Sequence, residues 1–179
     1  MRIGILSDSH DHVWNLRAAL GRLREEAGVL IHCGDLCSPF IVPILAREFP
    51  GPVHAVFGNN DADRWRLQTN AAKTDRVQLH GEFFFPEFGG LRFAVQHFDA
   101  PARALADSGR YDVVCYGHDH RAHLEQVGPV WLVNPGSILG YQPVGGADVD
   151  PTFAVFDTER RLAELWRIRA GSVERAEPA

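Results

Sequence analysis

Short apolar runs recur along the chain, and the early ones each stop at a small polar cluster. Arg2 to Ser7 reads as a buried strand. Trp14 to Glu26 reads as a helix, because Leu16, Leu20 and Leu23 recur at spacings of four and three and Gly28 closes the run. Val29 to Cys33 is a second strand. Ser38-Pro39 opens a second helix, with Ser38 as its N-cap and Pro39 in its first turn. Val53 to Phe57 reads as a third strand and Asp63 to Ala72 as a third helix. Glu82 to Phe88 and Leu91 to His97 flank Gly89-Gly90, which predicts a hairpin. Pro101 to Ala106 is a short helix and Asp112 to Tyr116 a further buried strand. Two late hairpins pair Leu124–Val127 with Val130–Val133 and Thr152–Phe156 with Leu162–Ile168. Gly140 to Asp150 reads as a mobile loop, and Gly171 to Ala179 as a frayed tail. The order βαβαβα followed by mostly β predicts an α/β fold of two packed sheets flanked by helices.

Composition narrows the class. A chain of 179 residues with 45% apolar residues suits one domain over residues 1–179 with a full core. The net charge of -5 and the absence of a basic patch argue against bulk nucleic-acid binding. Cys33, Cys37 and Cys115 are odd in number and lack metal or redox spacing, so they read as plain buried thiols. The apolar run at the start is too short for a signal peptide or a membrane span, so a cytoplasmic protein without membrane contact is expected. A homo-oligomer is left open.

The polar clusters carry the chemistry. Asp8-Ser9-His10, Gly34-Asp35, Gly58-Asn59-Asn60-Asp61, His97 and Gly117-His118-Asp119-His120 each follow an expected strand. Strand carboxyl ends line the ligand crevice of open α/β sheets, so the five segments can deliver side chains to one place. Carboxylate, imidazole and amide oxygen suit borderline divalent metals, and the lack of a thiolate cluster argues against structural zinc. Taken singly, each cluster reads as a turn, a cap or a core histidine; it is the ordered set that points to a metal site. His32 is expected to be a core histidine. Asp11 reads either as a helix cap or as a partner of a ligand imidazole, Asp99 as the N-cap ahead of Pro101, and Asp119 as pointing to solvent. Asn134-Pro135-Gly136-Ser137 reads as a turn that either serves structure or turns Ser137 to the site.

This ordered set resembles the calcineurin-like metallophosphoesterase superfamily, and the compact spacing is most similar to its small YfcE-like phosphodiesterases. The resemblance implies a two-sheet sandwich with the metal site at the strand carboxyl ends. It implies that Asp8, His10 and His120 hold a first metal, that Asn59, His97 and His118 hold a second, and that Asp35 bridges them. The implied cofactors are two divalent ions, Mn²⁺ foremost, with Ni²⁺, Fe²⁺, Zn²⁺ and Mg²⁺ as the other candidates. The implied activity is hydrolysis of a small phosphoester, preferably a diester, by in-line attack of a metal-bridging hydroxide. Asp35, Asn59 and Asp61 are then the catalytic candidates, and Asn60 and His12 the substrate contacts. Asn60 stands where many members carry histidine, which removes a proton donor and predicts a preference for good leaving groups. Asp99 likewise departs from the family pattern after the lone histidine, and Phe98 is expected to narrow the pocket. The rival expectations are a protein-interaction scaffold of the same fold, as in a retromer subunit, and a monoesterase or nucleotide hydrolase.

Overall fold

The structure is a computed structural model that describes residues 1–177. Four parallel strands start the chain: β1 (Arg2–Leu6), β2 (Val29–His32), β3 (Val53–Ala55) and β4 (Val77–Leu79). They are joined by α1 (Val13–Glu26), α2 (Ile41–Glu48) and α3 (Arg64–Ala71). The antiparallel strands β12 (Thr152–Asp157), β13 (Leu162–Arg169) and β14 (Ser172–Ala176) complete a seven-stranded sheet in the order β14-β13-β12-β1-β2-β3-β4. The second sheet has the order β5-β6-β7-β9-β8, from β5 (Glu87–Phe88), β6 (Leu91–Val95), β7 (Val113–Cys115), β8 (Ala122–Val127) and β9 (Val130–Pro135). The helix α4 (Asp99–Asp107) lies between β6 and β7, and β10 (Tyr141–Gln142) with β11 (Ala147–Asp148) forms a small separate ribbon.

The period of two sorts side chains into layers. Ile3, Ile5, Ile31 and Phe156 of the first sheet face Phe93 and Val113 of the second. Leu6 and Leu30 face the other way and pack under Leu16, Leu20 and Leu23 of α1. Ala102 and Ala106 of α4 cover Val114 and Leu132 on the outer face of the second sheet. The two-sheet α/β sandwich flanked by helices is thus the observed fold.

Several local expectations change. The second helix begins at Ile41, and its N-cap position is Phe40 with no side-chain hydrogen bond. Ser38 is instead held by Asp11, which accepts from the Ser38 N–H at 2.8 Å and hydroxyl at 2.6 Å. Asp11 therefore neither caps a helix nor touches a ligand imidazole. Phe98 takes the N-cap position of α4, and Asp99 is the first helical residue. The strand β4 sits in Val77–Leu79, where Arg76 and Gln78 break the apolar run that would have marked it. The segment expected to fray from Gly171 instead pairs along β13 as β14; Pro178 and Ala179 lie outside the described residues. Within Gly140–Asp150, β10 and β11 form a ribbon where a plain loop was expected. No helix among the described residues is long and apolar enough to cross a membrane.

Candidate metal centre

The parallel strands deliver their C-terminal loops to one end of the sandwich. Asp8 and His10 follow β1, Asp35 follows β2, Asn59 and Asp61 follow β3, His97 follows β6, and His118 and His120 follow β7. Asp8, His10, Asp35, His118 and His120 all have positive φ, between 39° and 76°. Non-glycine residues seldom adopt this region, and such strain tends to collect at functional sites. Two glycines let the loops close together: a Cβ on Gly58 would strike the Asp35 carboxylate, and one on Gly117 would strike Ser7 and Asp8.

The side chains form two groups. In the first, His10 Nε2 lies 3.2 Å from His120 Nε2, and Asp8 Oδ1 lies 3.3 Å from His120 Nε2. In the second, Asn59 Oδ1 lies 3.0 Å from His97 Nε2 and 2.9 Å from His118 Nδ1. Asp35 Oδ2 stands between them, 3.4 Å from His10 Nε2 and 3.5 Å from His97 Nε2. Asp8, His10 and His120, and separately Asp8, Asp35 and His97, place ligand atoms close enough to share an ion.

Backbone contacts set the tautomers. His97 Nδ1 donates to the Cys33 carbonyl at 2.8 Å and His120 Nδ1 to the Tyr141 carbonyl at 2.6 Å, so each ring turns an Nε2 lone pair inward. The donor set also fits metal by what it lacks. Asp8 Oδ1 is buried and finds no hydrogen-bond partner among the described residues, a costly arrangement unless a cation completes it.

The charges respond to this crowding. Burial pushes the Asp8 carboxyl up, but the imidazoles of His10 and His120 outweigh it and hold Asp8 well below the usual range. Asp35 is lowered likewise: burial opposes ionisation, and His97 and Asn60 overcome it. His97 and His120 are raised, because the carboxylates beside them exceed the penalty of burial. In Asp61 burial prevails and the carboxyl is raised, although backbone N–H groups pull the other way.

The remaining candidates fall into place around this centre. Asn60 lies on Asp35, donating its backbone N–H to Oδ1 at 2.8 Å and its side-chain amide to Oδ2 at 2.7 Å. Asp61 has both carboxylate oxygens committed to the backbone, accepting the N–H groups of Asp35, Gly58 and Cys37. His12 caps α1, its Nδ1 accepting from Asn15 N–H at 3.2 Å. Ser137 donates to the Asp8 carbonyl at 3.0 Å, so its hydroxyl serves the loop structure. Asp119, expected in solvent, accepts from Asn134 Nδ2 at 2.7 Å.

Two contacts were missed in the sequence. Cys37, expected to be plainly buried, is half-buried with its sulfur 3.4 Å from His10 Nδ1; burial first, then nearby carboxylates, push its thiol up to about 12. The Tyr141 carbonyl fixes His120, and a backbone acceptor leaves no side-chain signal. His32 is more than core filling. Its Nδ1 accepts the Gly34 N–H at 3.3 Å, and its Nε2 lies 3.2 Å from Ser9 Oγ, so it ties two ligand loops together. Burial drops its pKa to about 4. The unfolded chain takes up this proton near pH 6.5, so its stabilising share is complete above that pH and is lost as pH falls towards 4, to about 3 kcal/mol. Replacing His32→Asn is expected to flatten unfolding free energy against pH between 6.5 and 4, measured by urea denaturation; parallel curves for the two proteins would refute this.

A family profile described as the calcineurin-like phosphoesterase superfamily domain matches residues 1–161. The chain belongs to this superfamily. It is 35% identical to the phosphodiesterase MJ0936 of Methanocaldococcus jannaschii over 90% of this chain and 95% of that one. A solved structure of an archaeal phosphodiesterase superposes with a TM-score of 0.83 at 32% identity, covering 94% of this chain and all of that one. The phosphoesterase YfcE from E. coli shares the fold, with a TM-score of 0.62 at 18% identity over 98% of each chain. These relatives support a hydrolase of the metal-dependent phosphoesterase class.

Proposed function

We propose that the protein is a dinuclear metal-dependent phosphodiesterase, and that the two converging ligand groups flanking Asp35 carry this reading. Asp8, His10 and His120 would hold one ion, Asn59, His97 and His118 would hold the other, and Asp35 would serve both. Bound there, two divalent ions supply Lewis acidity for phosphoryl oxygens and lower the pKa of water. Ligand type narrows the ions to a group, of which Mn²⁺ is the first candidate and Ni²⁺, Fe²⁺, Zn²⁺ and Mg²⁺ the alternatives. Two such ions outweigh the charges of Asp8 and Asp35, so the site attracts an anion although the chain is acidic overall. The cytoplasm is the proposed compartment, in keeping with three free cysteines.

The protein's own groups then decide the ester class. Asn60 holds Asp35 in place through its side-chain amide and offers no acid for a leaving group. Arg64 is engaged on the Asp61 and Gly58 carbonyls and Glu82, so it braces the loop from behind. A monoester carries an additional negative charge that would want such a cation in front, which favours a diester. His12 has its Nδ1 committed to the helix cap and offers only Nε2 to substrate.

The test is a metal-stripped preparation assayed on a bis-aryl phosphodiester and an aryl phosphomonoester, with each metal re-added separately. Diester hydrolysis should return with metal, most strongly with Mn²⁺. Silence with every metal, despite confirmed binding, would make the protein a scaffold. With no acid at Asn60, diester rates should also fall steeply as the leaving-group pKa rises. A rate indifferent to the leaving group would show that another residue supplies the proton.

A further inference from the structure

One exposed ring stands directly against the imidazoles of the centre. Phe98 is 39% exposed, yet its ring centroid lies 4.9 Å from that of His118 and 5.0 Å from that of His97, edge-on to both. Apolar packing does not explain it, since Phe98 belongs to none of the three apolar cores. Its backbone is nevertheless fixed. The buried Gln96 side chain accepts the Phe98 N–H at 2.6 Å through Oε1 and donates to the Phe98 carbonyl through Nε2. An exposed aromatic ring on a backbone fixed in this way, beside the candidate metal centre, is a partly preorganised contact for something planar.

The next two residues, Asp99 and Ala100, line an open groove of about 790 Å³ that reaches His120. This volume is of the size that holds small-molecule ligands, about 300–1,000 Å³. Tyr116 and Leu132 give the groove apolar surface, and Arg121, which makes no ion pair among the described residues, adds hydrogen-bond donors. A small alkyl group would use neither the ring nor the groove. A lipid chain would have to lie against the charged side chains of Asp99, Arg103, Asp119, Arg121 and Arg167, which share the groove with Tyr116 and Leu132. A nucleoside matches both features, with a base to stack and a sugar to hydrogen-bond.

We propose that Phe98 is the stacking surface for a nucleobase on one ester arm of the substrate, that the groove reaching His120 takes the rest of that arm, and that the substrates are nucleoside phosphodiesters. The inference rests on the diesterase reading above, and one arm of its test does not depend on turnover. Metal-reconstituted protein is titrated calorimetrically with adenosine monophosphate and with ribose 5-phosphate, and is assayed on a dinucleoside monophosphate and its abasic counterpart. The base-bearing probe should bind about 10-fold tighter. Phe98→Leu, which keeps an apolar side chain but loses the flat face, should erase most of that preference, and Phe98→Tyr should retain it. Phe83→Ala, at an exposed ring away from the ligand loops, should leave the preference unchanged. Equal binding of the two probes, or an undiminished preference in Phe98→Leu, would overturn the proposal. A Phe98-dependent preference without hydrolysis would support the stacking site and defeat only the diesterase reading.

Discussion

Asp35→Asn is expected to lower diester kcat/KM by about 10³-fold or more while the protein stays folded. Asp35 Oδ2 is the atom placed between the two ligand groups, within 3.5 Å of an imidazole nitrogen from each. An amide in its place presents either a neutral oxygen or an N–H₂ to the ions. The N–H₂ orientation would offer no lone pair to an ion, and the oxygen orientation would forfeit the negative charge that two ions there would share. The Asn60 amide, which now donates to Oδ2, would also lose a charged acceptor. Folding should survive because the substitution preserves shape and the backbone contact to Asp61 through the residue's own N–H. Metal content by elemental analysis should fall below two ions per chain. Activity within about 10-fold of the parent, at unchanged metal content, would remove Asp35 from the bridging position and with it the dinuclear reading.

The convergence of the candidate side chains was legible because strand ends and polar clusters coincide. A run such as Val29–Cys33 followed by Gly34-Asp35 announces both a buried strand and the loop that leaves it. Asp8, Asp35 and His97 could thus be placed at one crevice from their order alone, and the structure brings their ligand atoms together. What stayed hidden depends on contacts with no period. β4 was missed because its short run is interrupted by polar side chains, and its place in the sheet follows from pairing with β3. β14 lacks an apolar face strong enough to announce it, yet the exposed edge of β13 gives it hydrogen bonds. The tie of Ser38 to Asp11 depends on a loop geometry with positive φ at Asp11, which residue type does not reveal. Local propensity placed an N-cap at Ser38, and this tertiary contact overrode it.

Asp61→Ala is expected to destabilise the metal-free protein by about 4 kcal/mol, because three backbone N–H groups lose their acceptor at once. Asp61 is 2% exposed, and its carboxylate receives Asp35 N–H at 3.0 Å, Gly58 N–H at 2.7 Å and Cys37 N–H at 2.8 Å. These donors belong to the loops after β2 and β3, so Asp61 is the clamp that sets Asp35 opposite Asn59. Its carboxyl pays for this with a raised pKa, driven by burial and by the neighbouring Asp35. These contacts narrow the catalytic candidate Asp61 to a positioning role, orienting the loop that carries Asn59. Two readouts separate these roles. Denaturant unfolding of the metal-free protein should show the loss, which a residue that only contacts substrate would not produce. Metal titration should show weaker binding at the Asn59, His97 and His118 group, since Asn59 directly follows Gly58, whose N–H is freed. Asp61→Asn should fall between the parent and the alanine variant, because it keeps one carbonyl oxygen for the Asp35 and Gly58 donors while its N–H₂ faces Cys37. An alanine variant within about 1 kcal/mol of the parent would show that solvent satisfies those donors, and the clamp would not exist.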